Sequence, residues 1–274
     1  MPSSPPRIYC LPATDAPVVA VFRRGPSQWA HVGRWDLAQN CYEPGGWLRG
    51  RIFPRRSDIS PDGRWLCYFA HNPKARWEYG EAYVAVSKLP WLTALHAFAT
   101  CGTWTRGYYF TTGGSHENSK ATTLPIPYDL TFIPVEQFAN ERRRGWLEAP
   151  DSPPRSAGGP WDENRNARLQ KPQPGGRYLL RLESLGRAGG EFGVDQAVDG
   201  LRVVYALESE QDIAILNDVQ WADWAAQGQL LVATRSGKLQ VRELQKRSFK
   251  VIFEADLSAL QPEPMEAPDW AQRW

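Results

Sequence analysis

The sequence predicts an all-β chain folded as a β-propeller, with five blades, or six, of four antiparallel strands each. Two observations carry this expectation. Short apolar runs rich in β-branched and aromatic residues recur along the chain, separated by turns of Gly, Pro, Asp and Asn. The strand after each of several glycine turns also repeats. Gly63-Arg-Trp-Leu-Cys-Tyr-Phe, Gly107-Tyr-Tyr-Phe-Thr-Thr, Gly176-Arg-Tyr-Leu-Leu-Arg-Leu and Gly228-Gln-Leu-Leu-Val-Ala-Thr are alike, at gaps of 44, 69 and 52 residues. Setting aside a Pro/Gly-rich stretch of about 25 residues brings the long gap near the size of one blade. Val18 opens a matching strand 47 residues before Trp65, without the glycine turn.

A four-stranded sheet exposes two apolar faces, so a single unit cannot stand alone, and neighbouring blades must cover one another. Trp65, Tyr68, Tyr108, Tyr178 and Leu230 are the expected residues of that packing. The competing architecture is a pair of separate β-sandwich domains divided near Glu148.

Taken in order, Arg7 to Leu11, Val18 to Phe22 and Trp29 to Leu37 read as strands, and Cys41 to Arg51 as a turn-rich closure of the first unit. The stretch Ser57 to Ala70, SDISPDGRWLCYFA, is the clearest unit. Pro61 presets φ, Asp62 bonds to backbone, and Gly63 accepts a positive φ, so Trp65 to Phe69 returns as a strand. Glu81 to Ser87, Leu92 to Phe98 and Tyr108 to Thr112 follow as strands. Two weaker ones lie in Leu124 to Val135, where three prolines mark edges. Glu136 to Gly145 reads as a short helix. An irregular insertion is expected at about 139–173, followed by strands at Arg177 to Leu182, Leu201 to Leu207 and Asp212 to Leu216. The last unit is the most regular: Val219 to Trp224, Leu230 to Thr234, Lys238 to Leu244 and Phe249 to Phe253. A Pro-rich irregular tail covers 261–274, and the whole of 1–274 is expected to form one domain.

Two stretches carry a family resemblance. ISPDGRWLCYFA resembles the Ser-Pro-Asp-Gly turn of TolB-like propeller repeats, and DWAAQGQLLVATRSGKLQVREL is similar to a WD-type blade without its terminal Trp-Asp pair. The stretch PRRSDISPDG also resembles one in an uncharacterised bacterial propeller family. These resemblances imply the fold and no activity, because propellers host unrelated functions.

Net charge of +2 argues against a dedicated nucleic-acid binder, and the Arg142-Arg143-Arg144 run reads as a solvated face. No secretory h-region is visible at the start, and no apolar run reaches the roughly 20 residues of a bilayer span, so the expected location is cytoplasmic, without membrane contact. The four cysteines form no CxxC pair and read as reduced thiols, with Cys67 a buried apolar residue.

No nucleophile elbow, P-loop or dinucleotide fingerprint appears, and no metal or cofactor is expected. His31 and His96 read as core histidines in strands, His71 and His116 as loop residues. Asp58 and Asp218 each enter an expected innermost strand, and such a pair could act as acid and base on a glycoside.

Short turns, SPDG, TRG, QPGG and AAQG, fall on one face of the expected propeller. The longer loops, Arg23 to Ser27, His71 to Gly80, Gly113 to Thr122 and Ser184 to Gly200, fall on the other. Binding concentrates in long loops on a rigid scaffold. The expected binding residues are Arg23, Arg24, Arg55, Arg56, Asp58, Lys74, Arg76, Trp77, His116 and Arg235. Cations beside a Trp suit an acidic or aromatic-containing protein partner. The sequence thus reads as a non-enzymatic interaction scaffold, monomeric or weakly oligomeric. A glycoside hydrolase, or a module binding glycan or nucleic acid, is the alternative.

Overall fold

The computed structural model describes residues 5–25, 28–74, 80–112, 124–134, 136–154, 166–187, 201–210, 212–245 and 248–274. The chain is all-β, and its described residues form five sheets of strands consecutive in sequence. The first holds β1 (Arg7–Pro12), β2 (Val18–Arg24), β3 (Trp29–Asp36) and β4 (Cys41–Arg49) in that order. The second holds β5 (Arg51–Ile52), β7 (Trp65–His71), β8 (Ala82–Lys88) and β9 (His96–Ala99), with β6 (Asp58–Ile59) also paired to β7. β10 (Tyr108–Thr112) and β11 (Tyr128–Phe132) form a two-stranded sheet. After helix α1 (Ala139–Arg143), a fifth-strand edge extends the next sheet: β12 (Leu147–Glu148), β13 (Arg168–Pro172), β14 (Leu179–Arg187), β15 (Leu201–Glu208) and β16 (Ile213–Ile215). The last sheet is β17 (Val219–Trp224), β18 (Leu230–Thr234), β19 (Lys238–Leu244) and β20 (Phe249–Asp256). Neighbouring strands from β2 onward pair antiparallel, for example Val18 with Asp36 and Leu230 with Arg242.

The chain divides into two compact units. The first-half unit is Cys10–Pro134 with Gln261–Trp274, and the second-half unit is Val135–Leu260 with Met1–Tyr9. The insertion expected at 139–173 is not uniformly irregular, for it contains α1, β12 and β13. Apolar Leu169 within β13 is wholly buried, which sets that strand in the core despite its Pro- and charge-rich surroundings.

In the first-half unit, Phe53, Cys67, Phe69, Val84 and Val86 pack against Phe110, Leu124 and Leu130, so the second sheet covers the β10–β11 sheet. Trp65 and Tyr108 lie half-buried at the margin of this core, as the packing pattern predicts. The turn at Ser60–Gly63 is also as expected. Gly63 has φ +74°, Asp62 Oδ1 accepts Arg64 N–H at 3.1 Å, and Ser60 Oγ accepts Trp65 N–H at 2.9 Å. The tail has no strand, yet it is anchored. Ala267 and Ala271 pack on Trp91, Lys88 Nζ donates to the Trp270 carbonyl at 2.8 Å, and Trp274 lies 5.6 Å from Trp65.

In the second-half unit, Trp146, Leu169, Leu180, Leu182 and Tyr205 pack on Ala222, Trp224, Leu230 and Val232, again sheet against sheet. Tyr178 flanks this core. The first residues join the same unit: Ile8 N–H donates to Gln220 Oε1 at 2.9 Å, and Tyr9 O–H to Glu141 Oε1 at 3.0 Å. No helix among the described residues is long and apolar enough to cross a membrane.

Candidate functional site

The densest polar constellation of the first-half unit runs across β2, β3 and β4. Arg23 pairs with His31, and His31 with Trp47, in cross-strand register. Directly opposed residues share a face of the sheet, so the three side chains form a ladder. The His31 ring stacks on the Trp47 indole at 4.4 Å, and the Arg23 guanidinium lies 5.5 Å from the centre of the same indole. His31 Nδ1 lies 3.1 Å from the Gly46 carbonyl and Nε2 lies 3.0 Å from Tyr42 Oη. A carbonyl only accepts, so Nδ1 carries the proton, and in the neutral ring Nε2 accepts the Tyr42 hydroxyl. Burial, with the Arg23 charge adding to it against the Gly46 bond, lowers the His31 pKa to about 4. Burial likewise raises the Tyr42 phenol above its ordinary value and lowers that of Arg23. Gly33 makes this possible, because a Cβ there would overlap the Tyr42 ring.

The second element is the 3-10 turn Pro54–Arg56, which interrupts the sheet edge between β5 and β6. Arg56 lies 5.1 Å from the Phe53 ring centre and 5.6 Å from that of Phe69, and its Nη1 donates to the carbonyls of Thr103 and, at 3.2 Å, Thr105. Arg51 lies 4.4 Å from the centre of the same Phe53 ring. Gly107 lets the following chain approach, since a Cβ there would strike the Arg56 carbonyl. Asp58 is buried and its Oδ2 accepts Phe110 N–H at 3.0 Å, tying the second sheet to β10.

Of the expected binding residues, Arg23 and Asp58 are therefore interior groups, at 3% and 1% exposure, where the sequence placed them on a working face. The reason is local: Arg23 sits in a strand, before the loop it was assigned to, and Asp58 bonds inward to backbone. Arg24, Arg55 and Arg56 are half-buried, and Lys74 is exposed. Arg235 is exposed in the β18–β19 turn of the second-half unit, with Nε donating to the Asn217 carbonyl at 3.1 Å. Arg76, Trp77 and His116 lie outside the described residues. His96 is half-buried beside Phe98, and His71 lies 4.0 Å from Glu81. Cys10 and Cys67 are buried, Cys41 and Cys101 exposed, and all four are free thiols.

The sequence reading missed the main buried charge of the second-half unit. Lys171 Nζ lies 2.6 Å from Asp223 Oδ1, which also accepts Trp224 N–H at 2.7 Å, while Trp146 Nε1 approaches Oδ2 at 3.5 Å. Burial pushes the Asp223 carboxyl up, and Lys171 and the two tryptophan donors pull against it. Asp218, the other expected acid, pairs with Arg242. Among the described residues no group of three or more His, Cys, Asp and Glu side chains is placed to hold a metal ion. No family model and no curated protein sequence matches this chain.

Proposed function

We propose that the chain is a protein-interaction scaffold of β-propeller architecture, each sheet forming one blade, that engages an acidic or aromatic-containing partner through the loops between strands. The observation that carries this reading is how the candidate acids are engaged. Asp58 holds the Phe110 N–H, Asp218 holds Arg242, and Asp223 holds Lys171 and Trp224. The buried Asp58 and Asp223 are engaged in holding the fold, and the exposed Asp218 is paired with Arg242, so the expected pair is poorly placed to exchange protons with a bound sugar, which the hydrolase reading requires. The chain-consecutive order of the sheets and their pairwise core packing within each unit support the propeller geometry.

Quantitative cross-linking capture from the native cells tests the reading, with wild type beside Arg55→Ala and Arg235→Ala. A partner recovered near equal stoichiometry, and depleted in at least one variant whose thermal melt is unchanged, is the expected result. The melt of Arg235→Ala should hold, because exposed charges contribute only about 0–1 kcal/mol to stability. Absence of any stoichiometric partner, together with glycoside turnover that Asp58→Asn abolishes without unfolding the protein, would overturn it.

A further inference from the structure

One outer strand of the β12–β16 sheet is β16, and its three residues are all exposed. Ile213 is 54% exposed and Ile215 60%, and Ala214 between them is exposed as well. The hydrogen-bond parity of the hairpin shows which backbone groups face out. Ser209 N–H donates to the Asp212 carbonyl at 2.8 Å and Leu216 N–H to the Tyr205 carbonyl at 2.9 Å. In an antiparallel pair such bonding residues alternate, so Asp212, Ala214 and Leu216 bond inward to β15, and Ile213 and Ile215 present their N–H and C=O outward. The Ile213 N–H is capped by Asp212 Oδ1 at 2.8 Å. The Ile215 N–H, the Ile215 C=O and the Ile213 C=O remain as the outward groups of the edge.

Edge strands are commonly blunted by Lys, Pro or a bulge. Another exposed outer strand of this unit, β20, follows that practice: it carries Lys250, and its register shifts opposite Val241 and Arg242. β16 is blunted only by its length of three residues, and carries no Lys, no Pro and no register shift. Its surroundings are acidic. No Lys or Arg occurs between Arg202 and Arg235, whereas Glu210 and Asp212 flank the strand and are exposed. Arg181, two strands away in register with Ala206 and hence Ile215, is engaged by Glu208 and Asp151.

We propose that β16 is a strand-addition site for an extended segment of another protein, with β-branched residues at alternate positions and Lys or Arg at its ends. The partner strand would exchange backbone bonds with Ile215, lay its apolar side chains on Ile213 and Ile215, and set its cations against Glu210 and Asp212. This site uses no residue of the loop-face reading, and it is read with purified protein rather than by capture from cells, so the two succeed or fail separately.

The probe is a capped seven-residue peptide with valines at alternate positions and a lysine at each end. Its affinity is measured by fluorescence anisotropy, and protection of the Ile215 amide by NMR hydrogen exchange. Ile215→Pro deletes the outward donor without removing a bond to β15, since Pro is tolerated where the N–H faces solvent. Binding by wild type with about tenfold slowing of Ile215 exchange, about tenfold weaker binding to Ile215→Pro, and retention by Ile215→Val would support the site. A peptide N-methylated at its bonding amides gives the same comparison on the wild-type protein, should Ile215→Pro lower the melt. Failure of wild type to bind, equal binding by Ile215→Pro and by the N-methylated peptide, or equal binding of a peptide with glutamates for the lysines would overturn it.

Discussion

His31 sits where three strands meet, stacked on Trp47 and bonded to Gly46 and Tyr42, and its burial favours the neutral form. Its folded-state value of about 4 lies below the ordinary 6.5 of an unfolded chain. As pH falls, the unfolded chain takes up the proton first, so stability drops from about pH 6.5 to about 4 and levels below that. The shift corresponds to a loss on the order of 3 kcal/mol, at 1.36 kcal/mol for each pH unit. Melting curves from pH 7 to pH 4 should therefore fall more steeply for wild type than for His31→Gln, which has no titrating ring. Parallel curves would mean that the ring is solvated or already charged. The sequence reading of His31 as a hydrogen-bonded core histidine anticipated its burial, since it lies in an apolar strand run. Its stacking with Trp47 was not legible, because cross-strand register depends on a bulge between His31 and Gly33 that no local pattern encodes.

Turns and strands form the next scale, and Gly63 tests them. Its φ of +74° requires glycine, and a Cβ there would come within 2.8 Å of Val18 Cβ. Gly63→Val meets both backbone strain and a clash, and denaturant unfolding should show a loss of about 1–3 kcal/mol or more. A variant as stable as the parent would mean that the turn relaxes freely. Strands bounded by such turns were legible almost to the residue: Tyr108–Thr112, Val219–Trp224, Leu230–Thr234 and Lys238–Leu244 fall where the alternation places them. Strands whose reasons are tertiary were not. β4 contains Pro44, Gly45 and Gly46 and reads as turn, yet it pairs with β3, and Pro90 and Leu92 pack where a Cβ on Gly45 or Gly46 would stand. β13 lies in a stretch rich in charge and proline, and it is held by Leu169 in the core and by the Arg168–Glu183 pair at 3.0 Å across to β14. The inward turn of Arg23 and Asp58 belongs to the same class, for composition shows a charge and not the direction in which it points.

For the whole molecule, the proposal is that five sheets serve as the blades of one scaffold. Each compact unit includes a segment from the far end of the chain, Met1–Tyr9 in one and Gln261–Trp274 in the other. Those segments are bonded in place, the first through Gln220 and Glu141, the second through Trp91 and Lys88. A propeller that closes on itself unfolds as a whole, whereas two independent β domains unfold one after the other. Differential scanning calorimetry of the intact chain separates these outcomes most directly. The propeller account predicts one transition whose calorimetric and van't Hoff enthalpies agree. Two resolved transitions, each reproduced by one half of the chain after cleavage between the units, would contradict it.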